Sequence, residues 1–168
     1  WSSPYKRALT PRIEKLQWQR AVEAFDCSNQ DLNRFLQKYA FPNQSSGAST
    51  IYVGLADQAA IGYYSLAVGS VEYEQAPERV TKRLAHHPIP VMLLTRLVVD
   101  HQWQKKGVGA GLLKVAMLRT LQAADIVGIR ALLVHVKDDV AKGFYKHFDF
   151  LPSPSDPLHL FILLKDVR

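Results

Sequence analysis

Apolar residues recur along this chain in two rhythms, and the changes of rhythm mark its elements. Residues 12 to 17 fit a short first strand. From Gln19 to Ala40 the apolar positions Ala21, Val22, Phe25, Leu32, Phe35 and Leu36 predict two helical pieces. The pieces part near Asp26-Cys27-Ser28-Asn29, where Ser28 or Asn29 would cap the second piece ahead of Gln30-Asp31-Leu32. The stretch FPNQSSGAS reads as a loop. STIYVGLAD and AIGYYSLAVGSVEYE then read as two strands around a polar turn at Asp57-Gln58. PERVTKRLAHHP gives a short helix or a loop ending at Pro88. PVMLLTRLVVD is almost wholly apolar, as expected of a strand central to its sheet. Leu112, Leu113, Ala116, Met117, Leu121 and Ala124 recur at helical spacing between Gly109 and Ala124. IRALLVHV is another buried strand, DDVAKGFYKHF is helical, and LHLFILLKDV closes the chain as a strand. Some strands are joined by hairpins and others through helices. The pattern therefore predicts an α/β (α+β) fold, a mixed central sheet of about six or seven strands flanked by helices.

Composition narrows the class. The 168 residues suit one domain, 1–168, with one core, and nearly half of them are apolar. No run of 18 apolar residues occurs, so no membrane span is expected. The opening WSSPYKRALT lacks the apolar stretch of a signal peptide. It also lacks methionine, and Trp1-Ser2-Ser3 is read as a vector-derived scar. Cys27 is the sole cysteine, which excludes an internal disulfide and points to a reducing cytoplasm. It reads as a small buried hydrophobe. The net charge of +6 and the pI of about 9.5 favour phosphate-rich partners: nucleic acid, an acidic cofactor or a membrane surface. Basic residues are spread along the chain, so an anionic partner would meet a folded surface.

Chemistry concentrates in WQKKGVGAGLL, residues 103–113. Gly107, Gly109 and Gly111 follow the central strand and open a helix, with Lys105 and Lys106 just before them. Glycine lets backbone approach a ligand closely. The first N–H groups of a helix are unpaired, and its dipole adds about half a positive charge there, so a phosphate is the natural guest. The alternative is a tight strand-to-helix turn whose glycines serve packing. A nucleoside-triphosphate loop needs GxxxxGK followed by Ser or Thr, but here the lysines precede the glycines. A dinucleotide fingerprint needs a third glycine where Leu112 stands, and lies in the first βα unit.

Gln104-Lys105-Lys106-Gly107-Val108-Gly109 matches the Q/R-x-x-G-x-G/A pattern of the GNAT family of N-acetyltransferases, and the whole chain resembles that family. The resemblance implies that the loop, with Ala110 after it, holds the pyrophosphate of acetyl-coenzyme A. FDCSNQDLNRFLQKYA, RLVVDHQWQKKGVGAGLL and FYKHFDFLPSPSDPLHLF together resemble the acetyltransferase toxins of bacterial type II toxin–antitoxin modules. That resemblance implies acetylation of the α-amino group of aminoacyl-tRNA and arrest of translation in the cytoplasm. It also implies a ribbon-helix-helix antitoxin partner and a homodimer.

The resemblance further implies that main-chain groups of Leu97, Val98 and Val99 hold the pantetheine arm, and that a backbone N–H polarises the thioester. It makes Tyr145 the general acid for the departing thiolate. A phenol, which ordinarily ionises near pH ~10, suits that task, although an aromatic packed beside Phe144 and Phe148 would look the same in sequence. Arg96 stands between apolar neighbours and needs a partner or an opening: a carboxylate, or a substrate phosphate. Asp138 occupies a position where related enzymes often carry a coenzyme-contacting asparagine. Asp149 replaces the glycine of the F-Y-x-x-x-G-F pattern, and aspartate tolerates a left-handed turn better than most residues. Arg7, Lys38, Lys82 and Arg83 are candidates for tRNA contacts. The six histidines show no metal-binding spacing, so no metal site is predicted, and His135 reads as a structural residue. Two other readings stay open: an acetyltransferase for a small-molecule or protein amine, and a non-catalytic module that senses the coenzyme or binds a partner.

Overall fold

A computed structural model describes residues 4–5, 7–17 and 22–167. Seven strands form one mixed sheet in the order β1-β2-β3-β4-β5-β7-β6. They are β1 (Arg12–Lys15), β2 (Thr50–Ala56), β3 (Ala59–Val71), β4 (Ile89–Val99), β5 (Ala131–His135), β6 (Leu151–Pro152) and β7 (His159–Leu163). The helices are α1 (Gln30–Arg34), α2 (Ala40–Ser45), α3 (Glu78–Thr81), α4 (Val108–Ala124) and α5 (Asp139–His147). The apolar strand β4 is the middle strand, as its composition requires. Asp57 and Gln58 take φ of 48° and 72°, the left-handed pair that lets a two-residue turn match the twist of β2 and β3.

The chain divides into two compact units. One comprises Tyr5–Ala67 and Thr95–Ala116. Its core gathers Leu16, Phe25, Phe35, Leu36, Ile51, Val53, Tyr63 and Val98. Tyr63 is the hub: Phe25 meets it edge-on at 5.6 Å, Phe35 stacks on it at 6.2 Å, and its hydroxyl donates to the Leu32 carbonyl at 2.8 Å. The other comprises Val68–Leu94 and Met117–Arg168. There β4 and β5 run parallel from Val91↔Ala131 to Leu94↔Val134, and Ile89, Val91, Leu133 and Phe161 form the core with Val80 of α3. The Arg130 guanidinium donates to the Val80 and Lys82 carbonyls, closing the C-terminal end of α3 where backbone donors run out.

Two sequence expectations fail near the N-terminus. Residues 22–29 are turn and extended backbone, not helix. The Asp26 carboxylate accepts the Ser28 N–H at 2.8 Å and Ser28 has φ of 68°, so side-chain bonding replaces the helical ladder. Gln19 and Ala21 of that expected piece, and Trp1-Ser2-Ser3, lie outside the described residues. Asn29, one of the two expected caps, is the cap of α1, accepting from the N–H groups of Asp31 and Leu32. The first half of the segment read as a loop after Ala40, residues 41–45, belongs to α2, reached from α1 through a π turn at Phe35–Tyr39, while residues 46–49 are turn, bend and loop as expected. Pro42 falls in the first turn of α2, just after the π turn, where its missing N–H is tolerated. The two-residue strand β6 carried no readable pattern.

Candidate active site

Strand β4 ends at Val99, a 3-10 turn covers His101–Trp103, and α4 begins at Val108. Lys105 and Gly107 are left-handed, with φ of 63° and 88°, while Lys106 between them is not. Alternation of hand along successive residues turns their N–H groups to one side and makes a concave receiver for an anion. The helical ladder of α4 reaches back to Gly107, whose carbonyl accepts the Gly111 N–H at 3.1 Å. The N–H groups of Val108, Gly109 and Ala110 precede that bond, so they stand outside the ladder. The exposed Lys105 and Lys106 add charge, Lys106 lying 5.4 Å from the Trp103 ring. The Gln104 side chain turns back, donating to the Val99 carbonyl at 3.0 Å, and ties the loop to the strand. Loop, unpaired amides and lysines are the donor set a diphosphate requires.

The close approach at two of the glycines is made by the chain itself. A Cβ on Gly107 would lie 2.2 Å from the Arg7 carbonyl oxygen, and one on Gly111 would lie 2.3 Å from that of Leu9. The Leu9 N–H donates to the Gly107 carbonyl at 2.9 Å. Residues 7–10 thus lie on the loop, and packing explains these two glycines. Sequence spacing could not show this, because the partner lies about a hundred positions away.

Val98 is buried, Leu97 and Val99 are half-buried, and their apolar side chains serve the core. Among the described residues no carboxylate pairs with Arg96, and its guanidinium lies 3.5 Å over the centre of the Phe35 ring. Partial burial lowers its pKa, with Tyr63 acting in the opposite direction.

Tyr145 sits on α5 and is 6% exposed. Phe144 and Phe150 meet its ring edge-on at 5.0 and 5.3 Å. Burial pushes its phenol far above the ordinary range, so the proton is held at neutral pH. Asp138 caps α5, its Oδ1 accepting the Ala141 N–H at 2.9 Å. Asp149 adopts φ of 73° just past the C-terminal end of α5, the left-handed position expected for a residue standing in for glycine. His135 stacks on His159 with ring centroids 3.8 Å apart, and burial followed by repulsion from His159 lowers its pKa. Cys27 is buried, and burial raises its pKa, which leaves it a poor nucleophile. Arg7, Lys38, Lys82 and Arg83 are all exposed.

Sequence reading passed over Asp100. It is 8% exposed, and its Oδ2 accepts the Asp26 N–H at 3.0 Å while its Oδ1 accepts the Gln102 N–H at 2.9 Å. A lone aspartate at a strand end carries no motif; only its burial reveals it.

Residues 47–152 match the acetyltransferase (GNAT) domain family. The chain is 46% identical over 147 residues, 88% of each protein, to the tRNA-acetylating toxin of Mycobacterium tuberculosis. The fold superposes on AtaT complexed with acetyl-methionyl-tRNAfMet with a TM-score of 0.86 at 28% identity, covering 93% of this chain and 96% of that one. A mutant AtaT toxin bound to the C-terminus of the antitoxin AtaR and acetyl-CoA gives 0.78 at 27% identity, over 93% and 94%. With its family pattern carried on the strand–loop–helix described above, the chain belongs to the GNAT acetyltransferase family and is an N-acetyltransferase.

Proposed function

We propose that this enzyme transfers acetyl from acetyl-CoA to the α-amino group of aminoacyl-tRNA and so blocks translation, acting in the cytoplasm as the toxin of a toxin–antitoxin pair. The observation that carries the reading is the left-handed turn at Lys105 and Gly107 running into the free amides of α4. It fits a diphosphate, and the likeness to a tRNA-acetylating toxin supplies the acceptor. The net charge of +6 suits a polyanionic substrate.

Acetyl-CoA supplies an acyl group already activated as a thioester. The amides of Gly107, Val108, Gly109 and Ala110, with Gln104, Lys105 and Lys106, hold its diphosphate. Main-chain groups of Leu97, Val98 and Val99 align the pantetheine arm, and Asp138 is a further candidate for contact with the coenzyme. The neutral α-amine forms the new C–N bond as the C–S bond breaks, and the amine releases its proton to water. Tyr145 gives its proton to the departing sulfur and regains one from solvent. Burial raises the phenol's pKa, so Tyr145 is in the protonated form that a general acid needs. Arg96, which no carboxylate pairs with among the described residues, takes a phosphate of the acceptor end, and Arg7, Lys38, Lys82 and Arg83 steer the rest of the tRNA. The partner is a ribbon-helix-helix antitoxin and the enzyme is a homodimer; the antitoxin-bound AtaT supports a protein partner.

The test uses radiolabelled acetyl-CoA with bulk aminoacylated tRNA, deacylated tRNA, polyamines and peptides. Label on charged tRNA alone is expected. Label on polyamines or peptides but not tRNA would remove the toxin reading and leave a small-molecule or protein acetyltransferase. No transfer to any acceptor would favour a non-catalytic module.

A further inference from the structure

We infer that Asp100 is a positioning residue that locks the coenzyme loop to the start of α1, so that occupancy of the loop is felt at that helix. Every polar group of Asp100 is engaged. Its N–H donates to the Ile61 carbonyl of β3 at 2.8 Å, and its carbonyl accepts the Trp103 N–H at 2.9 Å. One carboxylate oxygen holds Gln102, at the entrance to the loop, and the other holds Asp26, 74 residues away in sequence. The His101 N–H also donates to the Asp26 carbonyl at 2.8 Å, so two successive residues of the turn grip residue 26.

From Asp26 the bonding continues into α1. The Asp26 Oδ1 accepts the Asn33 Nδ2 at 3.1 Å, and the buried Asn33 accepts the Cys27 N–H at 2.8 Å on its Oδ1. Hydrogen bonding to Ser28 and Asn33 holds the Asp26 carboxyl below its ordinary pKa, with His101 adding to the effect. The path Gln102–Asp100–Asp26–Asn33 is continuous, with the buried Asp100 and Asn33 as its inner members. Hydrogen bonds to a charged acceptor are stronger than neutral ones, and two of these are made by the 8%-exposed Asp100. A loop that tightens on a diphosphate therefore pulls on a fixed strut, and the strut ends inside the helix that leads to Phe35, on which Arg96 rests.

This inference rests on the reading that the loop binds coenzyme, and the experiment separates the two. Hydrogen exchange is followed in the full chain with and without coenzyme A, for the parent, Asp100→Asn and Asn33→Ala. In the parent, coenzyme A slows exchange at the amides of 104–110 and also, about threefold or more, at 30–34. In Asp100→Asn the loop remains responsive and the response at α1 disappears. Asn33→Ala, which leaves the loop's own bonds intact, shows the same loss. In steady state both variants raise KM for acetyl-CoA several-fold, with kcat nearly unchanged. A parent α1 that ignores bound coenzyme overturns the inference, as does a response at α1 that survives both substitutions. Silence at the loop itself would overturn the coenzyme reading, and the inference with it. If Asp100→Asn does not fold, Asn33→Ala carries the test alone.

Discussion

Replacing Gly111 with alanine puts a methyl group where the backbone of residue 9 already lies. The added Cβ would stand 2.3 Å from the Leu9 oxygen, 2.8 Å from its carbonyl carbon and 3.0 Å from the Thr10 Cα. The nearest approach is about 1 Å short of the 3.4 Å at which ordinary contact begins. All three atoms are main chain, so no side chain can swing aside. Overpacking of this kind costs about 1–3 kcal/mol, and the rigid surroundings argue for the upper end. Alanine's better helix propensity returns about 1 kcal/mol, leaving a net loss of about 2 kcal/mol. Gly107→Ala adds left-handed strain of about 1–2 kcal/mol to a contact of 2.2 Å and has no helical gain to offset it, so it loses about 4 kcal/mol. For a chain of this size each kcal/mol moves Tm by roughly 2–4 °C. Scanning calorimetry on Gly107→Ala, Gly111→Ala and Gly143→Ala supplies the comparison. Gly143 is helical with open space around its Cβ, so its alanine should gain up to about 1 kcal/mol. The expected order of Tm is Gly143→Ala, parent, Gly111→Ala, Gly107→Ala. A Gly111→Ala protein as stable as the parent that has lost coenzyme affinity would refute the reasoning and return that glycine to the ligand.

Tyr145→Phe should lower kcat by about 10²-fold or more while KM for acetyl-CoA barely moves, because the phenol acts on the leaving sulfur; an unchanged kcat removes it from the chemistry. The same substitution tests linkage. Below pH about 10 neither folded nor unfolded Tyr145 ionises; above it the unfolded phenol ionises first, so stability falls with rising pH. Urea titrations at alkaline pH should show a decline in the variant shallower by up to ~1.4 kcal/mol per pH unit. Arg96→Met keeps an apolar stem against Phe35, and should change stability by no more than ~1 kcal/mol while raising KM for charged tRNA and flattening its salt dependence; an unaltered KM assigns Arg96 to the fold alone. Asp149→Ala should cost about 1 kcal/mol at φ of 73° and Asp149→Gly should not, measured by chemical denaturation; equal losses would show that its side chain, not its backbone, matters.

Long periodic segments are legible from the order of residues alone. The strands β2 to β5 and β7 and the helices α4 and α5 each bury a face, and burial imposes the period that is read. What escapes is set by single bonds. Asp26 takes up local N–H groups and stops a helix that its apolar neighbours suggest. Pro42 follows a π turn and so begins a helix instead of ending one. The glycine loop stands out in sequence, but two of its glycines face residues 7–10, a contact that no local pattern encodes. Asp149 is legible because its left-handed backbone falls where the family pattern carries glycine. Asp100 is not, since its meaning lies in a bond to residue 26.

The two outermost strands carry a consequence for how this protein meets others. At one border stands β1, four residues with Arg12, Glu14 and Lys15 among them; at the other stands β6, two residues ending in proline. A border strand that is short, charged or proline-blocked offers little template for a visiting chain to extend the ladder. Recruitment by strand addition, a common way for a flexible tail to exploit an open sheet, is discouraged at both borders. A visiting peptide has more to gain from side-chain grooves and charge than from main-chain pairing. Accidental stacking of copies, border to border, is suppressed by the same two strands.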